Sequence, residues 1–308
     1  MKVAIFGANS EIARDLILSN RVNGAHEFVL CTHRPQLLED WLRTNEVDHL
    51  CRVVGYANVG AIVDLDGIIN FVGAGNPAQL LEMGKSIYDI TIQHDKWAID
   101  YIKARPACRY IFISSGAVYG TDFTRPASND TKAELPLNQI HAKDWYAASK
   151  IQCELSHRAL ETLPIIDLRV FNYFSQTQNI AARYLITDIA RAIRSSQELH
   201  TSSVDIARDY MGPEDFCQMI NAIFSAPQQN AAVDCYSRSP VRKMELLHAM
   251  SSQFGLKFVL DTGVHGLDAT GAKLNYFSTY RKAADFGYVP RHCALENVLE
   301  QMDGMIRV

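Results

Sequence analysis

Two side chains with complementary chemistry lie four residues apart in the middle of the chain. Tyr146 and Lys150 belong to the segment 146–150 (YAASK), and a spacing of four places both on one face of a helix. A free tyrosine, with a pKa near ~10, is a poor acid or base at neutral pH. A neighbouring ammonium stabilises the phenolate and brings the pKa of the phenol toward the working range. The pair therefore predicts a phenol adapted to proton transfer.

A hydroxyl group is expected close to this pair. The segment 114–120 (SSGAVYG) ends an apolar run, and a hydroxyl at the end of a strand can orient the carbonyl or alcohol oxygen of a substrate. A single Tyr–Lys pair can arise by chance, because both residues are common. The two motifs together, downstream of a glycine turn, are hard to obtain by chance.

That glycine turn follows the first apolar run. The segment 7–13 (GANSEIA) has the form of a dinucleotide-binding GxxGxxG turn, with Ser10 and Ala13 in place of the second and third glycines. Gly7 would allow the tight turn, Ser10 would let a pyrophosphate approach the backbone, and the helix N-terminus would attract its charge. An ordinary strand–helix turn is the alternative. The residues assigned to the cofactor here are Gly7, Asn9, Ser10, Glu11 and Ile12.

The end of the second strand bears on the choice of cofactor. An acidic residue there would bind the ribose 2′-hydroxyl of NAD, whereas an arginine accommodates the 2′-phosphate of NADP. The chain carries Thr32, His33 and Arg34 at this place and no carboxylate, which favours NADP(H) over NAD(H). The alternative is that Arg34 is a solvated loop charge.

Small residues also follow the fourth strand. Gly73 and Gly75 would let the backbone pass close to the adenosine ribose or the pyrophosphate, and a plain turn is the alternative. The cofactor-binding residues assigned from this segment are Phe71, Val72 and Gly73.

These motifs need a scaffold that brings several strand ends together. Apolar, β-branched runs alternate with helical patterns through the first half of the chain, which is typical of a parallel sheet covered on both faces. The predicted strands are Val3–Phe6, Glu27–Cys31, Cys51–Val54, Gly67–Val72, Tyr110–Ile113 and Ile165–Val170. The predicted helices are Glu11–Leu18, Gln36–Thr44, Ala78–Met83, Ile92–Arg105 and Tyr146–Leu160.

The alternation predicts an α/β protein with a doubly wound Rossmann sheet and a smaller C-terminal substrate-binding lobe. Residues 1–172 would form the NAD(P)-binding domain, to which a segment at about 206–232 returns with a helix opened by Pro213. Residues 173–205 and 233–308 would form the lobe over the carboxyl edge of the sheet, where open α/β sheets bind ligands.

Composition excludes several other classes. The 308 residues are 48% hydrophobic and 21% charged, with a net charge of −4 and scattered basic residues, so we expect no nucleic-acid partner. No apolar stretch approaches the ~20 residues of a membrane span, and the N-terminal apolar run is too short for a signal peptide. Seven cysteines without a CxxC pair indicate a reduced, cytoplasmic chain, and the dispersed histidines indicate no metal site.

Taken with these motifs, three further segments make the chain resemble the extended short-chain dehydrogenase/reductases, the NAD(P)-dependent epimerase/dehydratase group that acts on nucleotide sugars. They are 168–172 (LRVFN), 208–215 (RDYMGPED) and 280–290 (YRKAADFGYVP), so the resemblance covers essentially the whole length. It implies that Ser115 is the catalytic hydroxyl and Tyr146 the acid–base. It implies too that Lys150 lowers the pKa of Tyr146 and holds the nicotinamide ribose.

The resemblance also implies roles outside the catalytic trio. Gln93 falls where the central helix of the family carries an asparagine near the cofactor. Asn172 and Arg208 fall where related enzymes contact the diphosphate of the substrate, a task that suits the planar arginine fork. For Arg208, a salt bridge to Asp209 or Glu214 is the alternative. Family members commonly dimerise through two long helices, here 92–105 and 146–160, the second with apolar Ile151, Leu155 and Ala159 at helical spacing.

Departures from the family pattern narrow the expected reaction. Dehydratases of the family carry an Asp-Glu pair where this chain has Gly116 and Ala117, and fucose-synthase-like enzymes carry a Cys and a His where it has Ala117 and Thr177. With no second acid–base pair in the sequence, we expect simple hydride transfer, most simply an NADP(H)-dependent reduction at carbon 4 of a nucleotide-diphosphate (deoxy)sugar. A 4-epimerase with retained NAD is the alternative, and an NADP-sensing regulator or scaffold is a third, which the Ser115–Tyr146–Lys150 set argues against.

Overall fold

A parallel sheet of seven strands organises the molecule. The computed structural model describes residues 1–24, 26–73, 77–261 and 273–307. Its main sheet has the order β11-β6-β5-β4-β1-β2-β3, and all of its neighbours run parallel. The strands of this sheet are β1 (Lys2–Phe6), β2 (Glu27–Thr32), β3 (Cys51–Gly55), β4 (Gly67–Asn70), β5 (Arg109–Ser115), β6 (Ile165–Val170) and β11 (Ala231–Asp234). This is the doubly wound arrangement that the sequence predicts.

Helices cover both faces of this sheet. Successive strand residues point to opposite faces, so Ile5 packs into one apolar cluster while Ala4 and Phe6 pack into the other. The first cluster lies under α1, α2 and α7, and the second under α4 and α5. The helices of the chain are α1 (Glu11–Asn23), α2 (Pro35–Thr44), α3 (Pro77–Met83), α4 (Ser86–Ala104), α5 (Asp144–Arg158), α6 (Leu185–Ser195), α7 (Pro213–Ser225), α8 (Lys243–Phe254) and α9 (Ala294–Arg307).

The six predicted strands agree with the structure to within two residues at each end, and two differences change the sheet. The fourth strand ends at Asn70 rather than Val72, because the Asn70 side chain accepts the backbone N–H of Val72 at 2.9 Å and turns the chain out of the sheet. A seventh strand, β11, pairs with β6 in the register Val233↔Leu168, so the sheet extends to residue 234, beyond the predicted return segment. The sequence did not predict β11, because its short apolar run shows no clear strand or helix periodicity.

A third apolar cluster lies outside the main sheet. It joins α6, α8 and α9 through residues such as Ile189, Leu247 and Met302. Short strands complete this part of the chain: β7 (Asn172–Tyr173), β8 (Glu198–Ser202), β9 (Ala207–Arg208), β10 (Tyr210–Met211), β12 (Val241–Arg242), β13 (Lys257–Asp261) and β14 (Asn275–Tyr276). The segment Lys282–Phe286 then returns to the first cluster and packs against α7 and β11. The division into a Rossmann domain and a lobe at residue 172 stays a prediction.

Buried ion pairs hold α5 against the sheet. His157 of α5 lies between two carboxylates, with Nδ1 2.6 Å from Asp167 Oδ1 on β6 and Nε2 2.9 Å from Asp95 Oδ1 on α4. Burial alone would lower the pKa of His157, but the two carboxylates raise it to about 9, so the ring is charged at neutral pH. One turn earlier, Glu154 of α5 is paired with Arg169 of β6. These contacts determine where the N-terminal turns of α5 lie. Within the described residues, no helix combines the length and the apolar character needed to cross a bilayer.

Candidate active site

The structure brings Ser115, Tyr146 and Lys150 together. Ser115 ends β5, where its Oγ accepts the N–H of Ala117 at 3.2 Å and caps the short helix Gly116–Tyr119. Tyr146 and Lys150 lie in the first two turns of α5, which packs against that short helix. The Ser115 hydroxyl lies near enough to the phenol of Tyr146 to lower the pKa of that phenol. Three residues from two segments thus meet at the carboxyl edge of the sheet.

Lys150 is a buried cation that bridges two strand ends. Its side chain is 1% exposed, and Nζ donates to Ile113 O at 2.8 Å and to Val72 O at 3.2 Å. Nζ also lies 4.2 Å from the ring centroid of Phe112 and 5.7 Å from that of Tyr146. Burial lowers the pKa of Lys150 to about 8, which still leaves the ammonium protonated at neutral pH.

The pKa of Tyr146 departs from the sequence expectation. Burial raises this pKa, and the nearby Ser115 hydroxyl opposes the rise only in part. Lys150 does not lower it as expected, because its ammonium is directed at two backbone carbonyls rather than at the phenol oxygen. The phenol is therefore neutral at physiological pH and suited to donate a proton.

The glycine turn has the form that a dinucleotide requires. Gly7 has φ +73°, and a Cβ there would lie 3.0 Å from the backbone of Phe71 and Val72. At Gly73 a Cβ would lie 3.6 Å from both Lys150 Nζ and Tyr146 Cε2, so its hydrogen atom leaves space beside these two side chains. The two glycines border the cleft between the ends of β1 and β4. This cleft is where the strand order of the sheet reverses, and sheets of this type bind nucleotides there.

The N-terminus of α1 completes this cleft. Ser10 is the N-cap residue and accepts the N–H of Ala13 at 3.3 Å, and Ile12 packs on the first apolar cluster. Glu11, the first helical residue, accepts the N–H of Asn179 at 3.0 Å, and burial raises the pKa of its carboxyl. A helix N-terminus behind a glycine turn attracts a pyrophosphate. These residues therefore fit a nicotinamide dinucleotide.

The predicted adenosine end of the site lies at the ends of β2 and β3. Thr32 is buried, and its Oγ1 accepts from the Asn9 amide and from the backbone N–H of Arg34. The side chains of His33 and Arg34 are exposed at this edge. His33 Nε2 lies 3.2 Å from His94 Nε2, and since His94 Nδ1 donates to Ile90 O, the His33 ring is the donor to a neutral His94.

Sequence reasoning missed Tyr56 and His94 at this end. The Tyr56 hydroxyl accepts the N–H of Gly7 at 2.7 Å, and its ring centroid is 4.4 Å from that of His33 and 4.6 Å from that of His94. Tyr56 directly follows β3, whose carboxyl end lies at the same edge as Gly7, so its position after a predicted strand was a usable signal. His94 gave no comparable signal, because a single polar residue within a long predicted helix is not distinctive.

Gln93 and Gly75 are the two remaining residues that the sequence predicts to lie near the cofactor. Gln93 lies exposed on α4, whereas the neighbouring Thr91 is fully buried with a hydroxyl that has no hydrogen-bond partner among the described residues. The helical rotation between positions 91 and 93 turns Gln93 toward solvent. Gly75 lies outside the described residues.

The side chains predicted to contact the substrate diphosphate, Asn172 and Arg208, are engaged with backbone carbonyls. The Asn172 amide donates to Tyr276 O at 3.0 Å and to Asp209 O at 3.4 Å, so only its Oδ1 is left for a substrate. Arg208 Nη1 donates to Ala207 O at 2.8 Å and to Lys273 O at 2.7 Å. The alternative partners of Arg208 are engaged elsewhere: Glu214 pairs with Arg291, and the Asp209 carboxylate accepts the N–H of Ser237.

A second tyrosine lies near Ser115. Tyr276 is on β14, Ser115 lowers the pKa of its phenol, and Lys273 Nζ lies 4.3 Å from the centroid of the Tyr276 ring. Burial, followed by the charge of Arg208, lowers the pKa of Lys273 to about 8. Sequence reasoning missed both residues, because they lie more than 120 positions from Tyr146 in a segment without a motif. Only the pairing of β14 with β9 brings them to the site.

Comparison with known proteins defines the class. The model of the NAD dependent epimerase/dehydratase family matches residues 3–239, so the chain belongs to this family and is an enzyme of the extended short-chain dehydrogenase/reductase type. A search of curated protein sequences found no match.

Solved structures share the whole fold at low sequence identity. A UDP-glucose-4-epimerase from Stenotrophomonas maltophila, with bound NAD and formylated UDP-arabinopyranose, aligns with TM-score 0.81 and 15% identity over 100% of this chain and 98% of that one. A dTDP-glucose 4,6-dehydratase from Bacillus anthracis str. Ames, in complex with NAD, aligns with TM-score 0.78 and 14% identity over 100% and 97%. A UDP-glucose 4-epimerase from Bifidobacterium longum, in complex with NAD⁺ and UDP, aligns with TM-score 0.77 and 15% identity over 99% and 98%.

The position of Tyr146 leads to the first prediction. Replacing Tyr146 with Phe keeps the ring packed against Lys150 and Gly73 but removes the proton, so turnover should fall by about 10²-fold or more while dinucleotide affinity stays nearly unchanged. Steady-state assays measure turnover, and calorimetry measures the affinity for the dinucleotide, so the two effects are determined separately. Near-normal turnover in this variant would exclude Tyr146 as the proton donor.

Proposed function

We propose that the protein reduces a nucleotide-diphosphate (deoxy)sugar with NADP(H), with hydride transfer at carbon 4. The observation that carries this proposal is the meeting of Ser115, Tyr146 and Lys150 beside the cleft at Gly7 and Gly73. Family membership supports nucleotide-sugar chemistry on a nicotinamide cofactor. The choice of NADP and the direction of the reaction rest on this chain's own residues.

The proposed mechanism gives each of these residues one task. When bound, the nicotinamide supplies the hydride, and the α1 N-terminus, Gly7 and Lys150 would hold the dinucleotide. Ser115 donates a hydrogen bond to the substrate oxygen, and the neutral Tyr146 transfers its proton to that oxygen as negative charge develops there. The ammonium of Lys150, which donates to Ile113 O and Val72 O, would hold α5 and with it Tyr146 against the strand ends.

A 4-epimerase with retained NAD is the second candidate. The solved relatives from Stenotrophomonas maltophila and Bifidobacterium longum are UDP-glucose 4-epimerases with bound NAD, and an epimerase would use the same three residues. The two functions differ in whether the reaction consumes the cofactor. An epimerase converts UDP-glucose into UDP-galactose without net consumption of NAD, whereas a reductase consumes one NADPH for each 4-keto sugar nucleotide.

The second prediction concerns the cofactor. Exposed Arg34, beside His33 at the end of β2, would pair with a 2′-phosphate, so calorimetry should show tighter binding of NADPH than of NADH. Arg34→Ala should reduce that preference about tenfold, since a hydrogen bond to a charged group contributes ~1.5–3 kcal/mol. Arg43→Ala on the exposed side of α2 is the matched control and should leave the preference unchanged. Equal affinity of the unmodified protein for both cofactors would refute the assignment.

The third prediction concerns the substrate. The proposed diphosphate would lie near Arg208 and act as an anchor whose binding energy orients the sugar toward Ser115 and Tyr146. Free sugars should therefore react with kcat/KM lower by orders of magnitude than nucleotide-linked sugars, and Arg208→Ala should produce a similar loss. Because Arg208 also holds Lys273 O, unchanged NADPH affinity and thermal stability are the controls for an intact fold. If free and nucleotide-linked sugars reacted with equal efficiency, the proposed specificity for sugar nucleotides would be refuted, and only a general dehydrogenase activity would remain.

The fourth prediction concerns assembly. We propose a homodimer that pairs α4 and α5 of two subunits into a four-helix bundle. Leu155 is 63% exposed on α5, and Ala159 is exposed one turn later. These two apolar side chains therefore do not pack in the core of this chain. Leu155→Glu should convert the dimer into a monomer in light scattering at micromolar concentration, and Leu137→Glu, at an exposed leucine outside these helices, should not. A monomeric unmodified protein would refute the proposal.

A further inference from the structure

A series of hydrogen bonds joins α1 and the glycine turn to the end of β2. The Arg14 guanidinium, on α1, donates from Nη2 to Asn9 Oδ1 at 3.3 Å, and the Asn9 amide nitrogen donates to Thr32 Oγ1. Thr32 Oγ1 also accepts the backbone N–H of Arg34 at 3.0 Å. The Arg14 guanidinium lies 5.0 Å from the centroid of the Trp41 ring, on α2. These contacts hold Arg14 beside the strand end where Rossmann sheets bind the adenosine ribose.

The direction of each of these hydrogen bonds follows from the groups involved. An arginine can only donate, so the Asn9 oxygen faces Arg14 and the Asn9 amide nitrogen faces Thr32. A threonine hydroxyl has two lone pairs that accept and one proton that it donates. Asn9 and the N–H of Arg34 occupy both lone pairs of Thr32. The proton of the Thr32 hydroxyl is therefore left to donate.

Arg14 also has donors that the described residues do not use. A guanidinium carries five N–H donors, and the Asn9 oxygen accepts from one of them. The Arg14 Nε is buried and has no hydrogen-bond partner among the described residues. Buried donors of this kind are rare in folded proteins, and a bound ligand is one of the groups that can complete them.

The positive charge at this strand end has no paired carboxylate. The carboxylate whose charge acts on Arg14 is that of Glu11, and it accepts the N–H of Asn179 at 3.0 Å rather than pairing with the arginine. Within the ranges that the structure describes, neither Arg14 nor Arg34 forms an ion pair. A ribose 2′-hydroxyl is bound by an acidic residue that accepts its proton, whereas a phosphate accepts hydrogen bonds and carries negative charge. The donors at the end of β2 therefore fit a phosphate.

We propose that Arg14 is a specificity-determining residue that binds the 2′-phosphate of NADP(H) together with Arg34, with the Thr32 hydroxyl as a further donor. The inference rests on the proposed function, because it assumes that NADP(H) is the cofactor. It goes beyond that function by placing a charge that selects the phosphate on α1, in addition to the one that follows β2. Asn9 is then a positioning residue, since its oxygen holds the Arg14 guanidinium toward β2.

Arg14 and Arg34 differ in how firmly the protein holds them. The exposed side chain of Arg34 must lose conformational freedom when it pairs with a phosphate. Arg14 is already held by Asn9 and lies over the Trp41 ring before any ligand binds. Because a donor that is already in position loses less entropy on binding, Arg14 should contribute at least as much to the preference for NADPH as Arg34 does.

Cofactor affinities measured by calorimetry test the proposal. Glutamine in place of Arg14 retains an amide donor for Asn9 but removes the charge. Arg14→Gln should therefore weaken NADPH binding about tenfold or more, the size expected for the loss of one charge-assisted hydrogen bond, and should leave NADH binding nearly unchanged. Arg43→Gln, which removes an exposed charge from α2, is the matched control and should change neither affinity.

Two smaller ligands isolate the contribution of the phosphate. The molecules 2′,5′-ADP and 5′-AMP differ only in the 2′-phosphate, so the ratio of their affinities does not depend on the nicotinamide or on Tyr146. This ratio should fall in Arg14→Gln. In the variant that combines Arg14→Gln with Arg34→Ala it should approach one, because both arginines are proposed to bind the same phosphate.

Three results would overturn the proposal, each for a different reason. Equal weakening of NADPH and NADH in Arg14→Gln would show that Arg14 only supports the glycine turn through Asn9. A preference for NADPH that persists in Arg14→Gln but falls in Arg34→Ala would exclude Arg14 and leave the proposed cofactor intact. Equal affinity of the unmodified protein for NADPH and NADH would refute the proposed cofactor, and this inference with it.

Discussion

The bridge made by the buried Lys150 ammonium is the interaction on which the site depends. One cation joins the carbonyl at the end of β5 to the carbonyl that follows β4, and it does so from the helix that carries Tyr146. A charge that is 1% exposed is costly to bury unless polar groups surround it, so α5 can approach the sheet only where both carbonyls are available. The same contact therefore positions the phenol and closes the cofactor cleft at Gly73.

Behind this bridge, further buried charges hold α5 in register. His157 lies between Asp95 and Asp167, while Glu154 accepts from Ser114 and pairs with Arg169. Breaking such a pair leaves an uncompensated buried charge at a cost of ~3–5 kcal/mol, so the register of α5 has few alternatives. The two adjacent serines therefore have different partners: Ser114 donates to the anchoring carboxylate of Glu154, and Ser115 caps the short helix that follows β5.

Local patterns in the sequence were enough for the sheet, the glycine turn and the convergence of Ser115, Tyr146 and Lys150. Each depends on strand–helix alternation or on helical spacing, and parallel strand ends meet at one edge whatever the details of packing. Tyr276, Lys273 and Tyr56 were not predicted, because long-range pairing and ring packing bring them to the site. The pKa of Tyr146 was expected to fall and instead rises, since local spacing cannot reveal that Lys150 turns to backbone carbonyls.

The return of residues 282–288 to the first apolar cluster has a consequence for how the molecule is made. The sheet receives its seventh strand only after residue 230, and Phe286 and Tyr288 fill its core later still. A ribosome must therefore synthesise residues 1–288 before the interior of the sheet can be completed. Contacts so distant in sequence slow folding, and a nascent chain would expose the apolar underside of α7 until residues 282–288 emerge. The segment 282–288 cannot be removed without opening the core of the sheet.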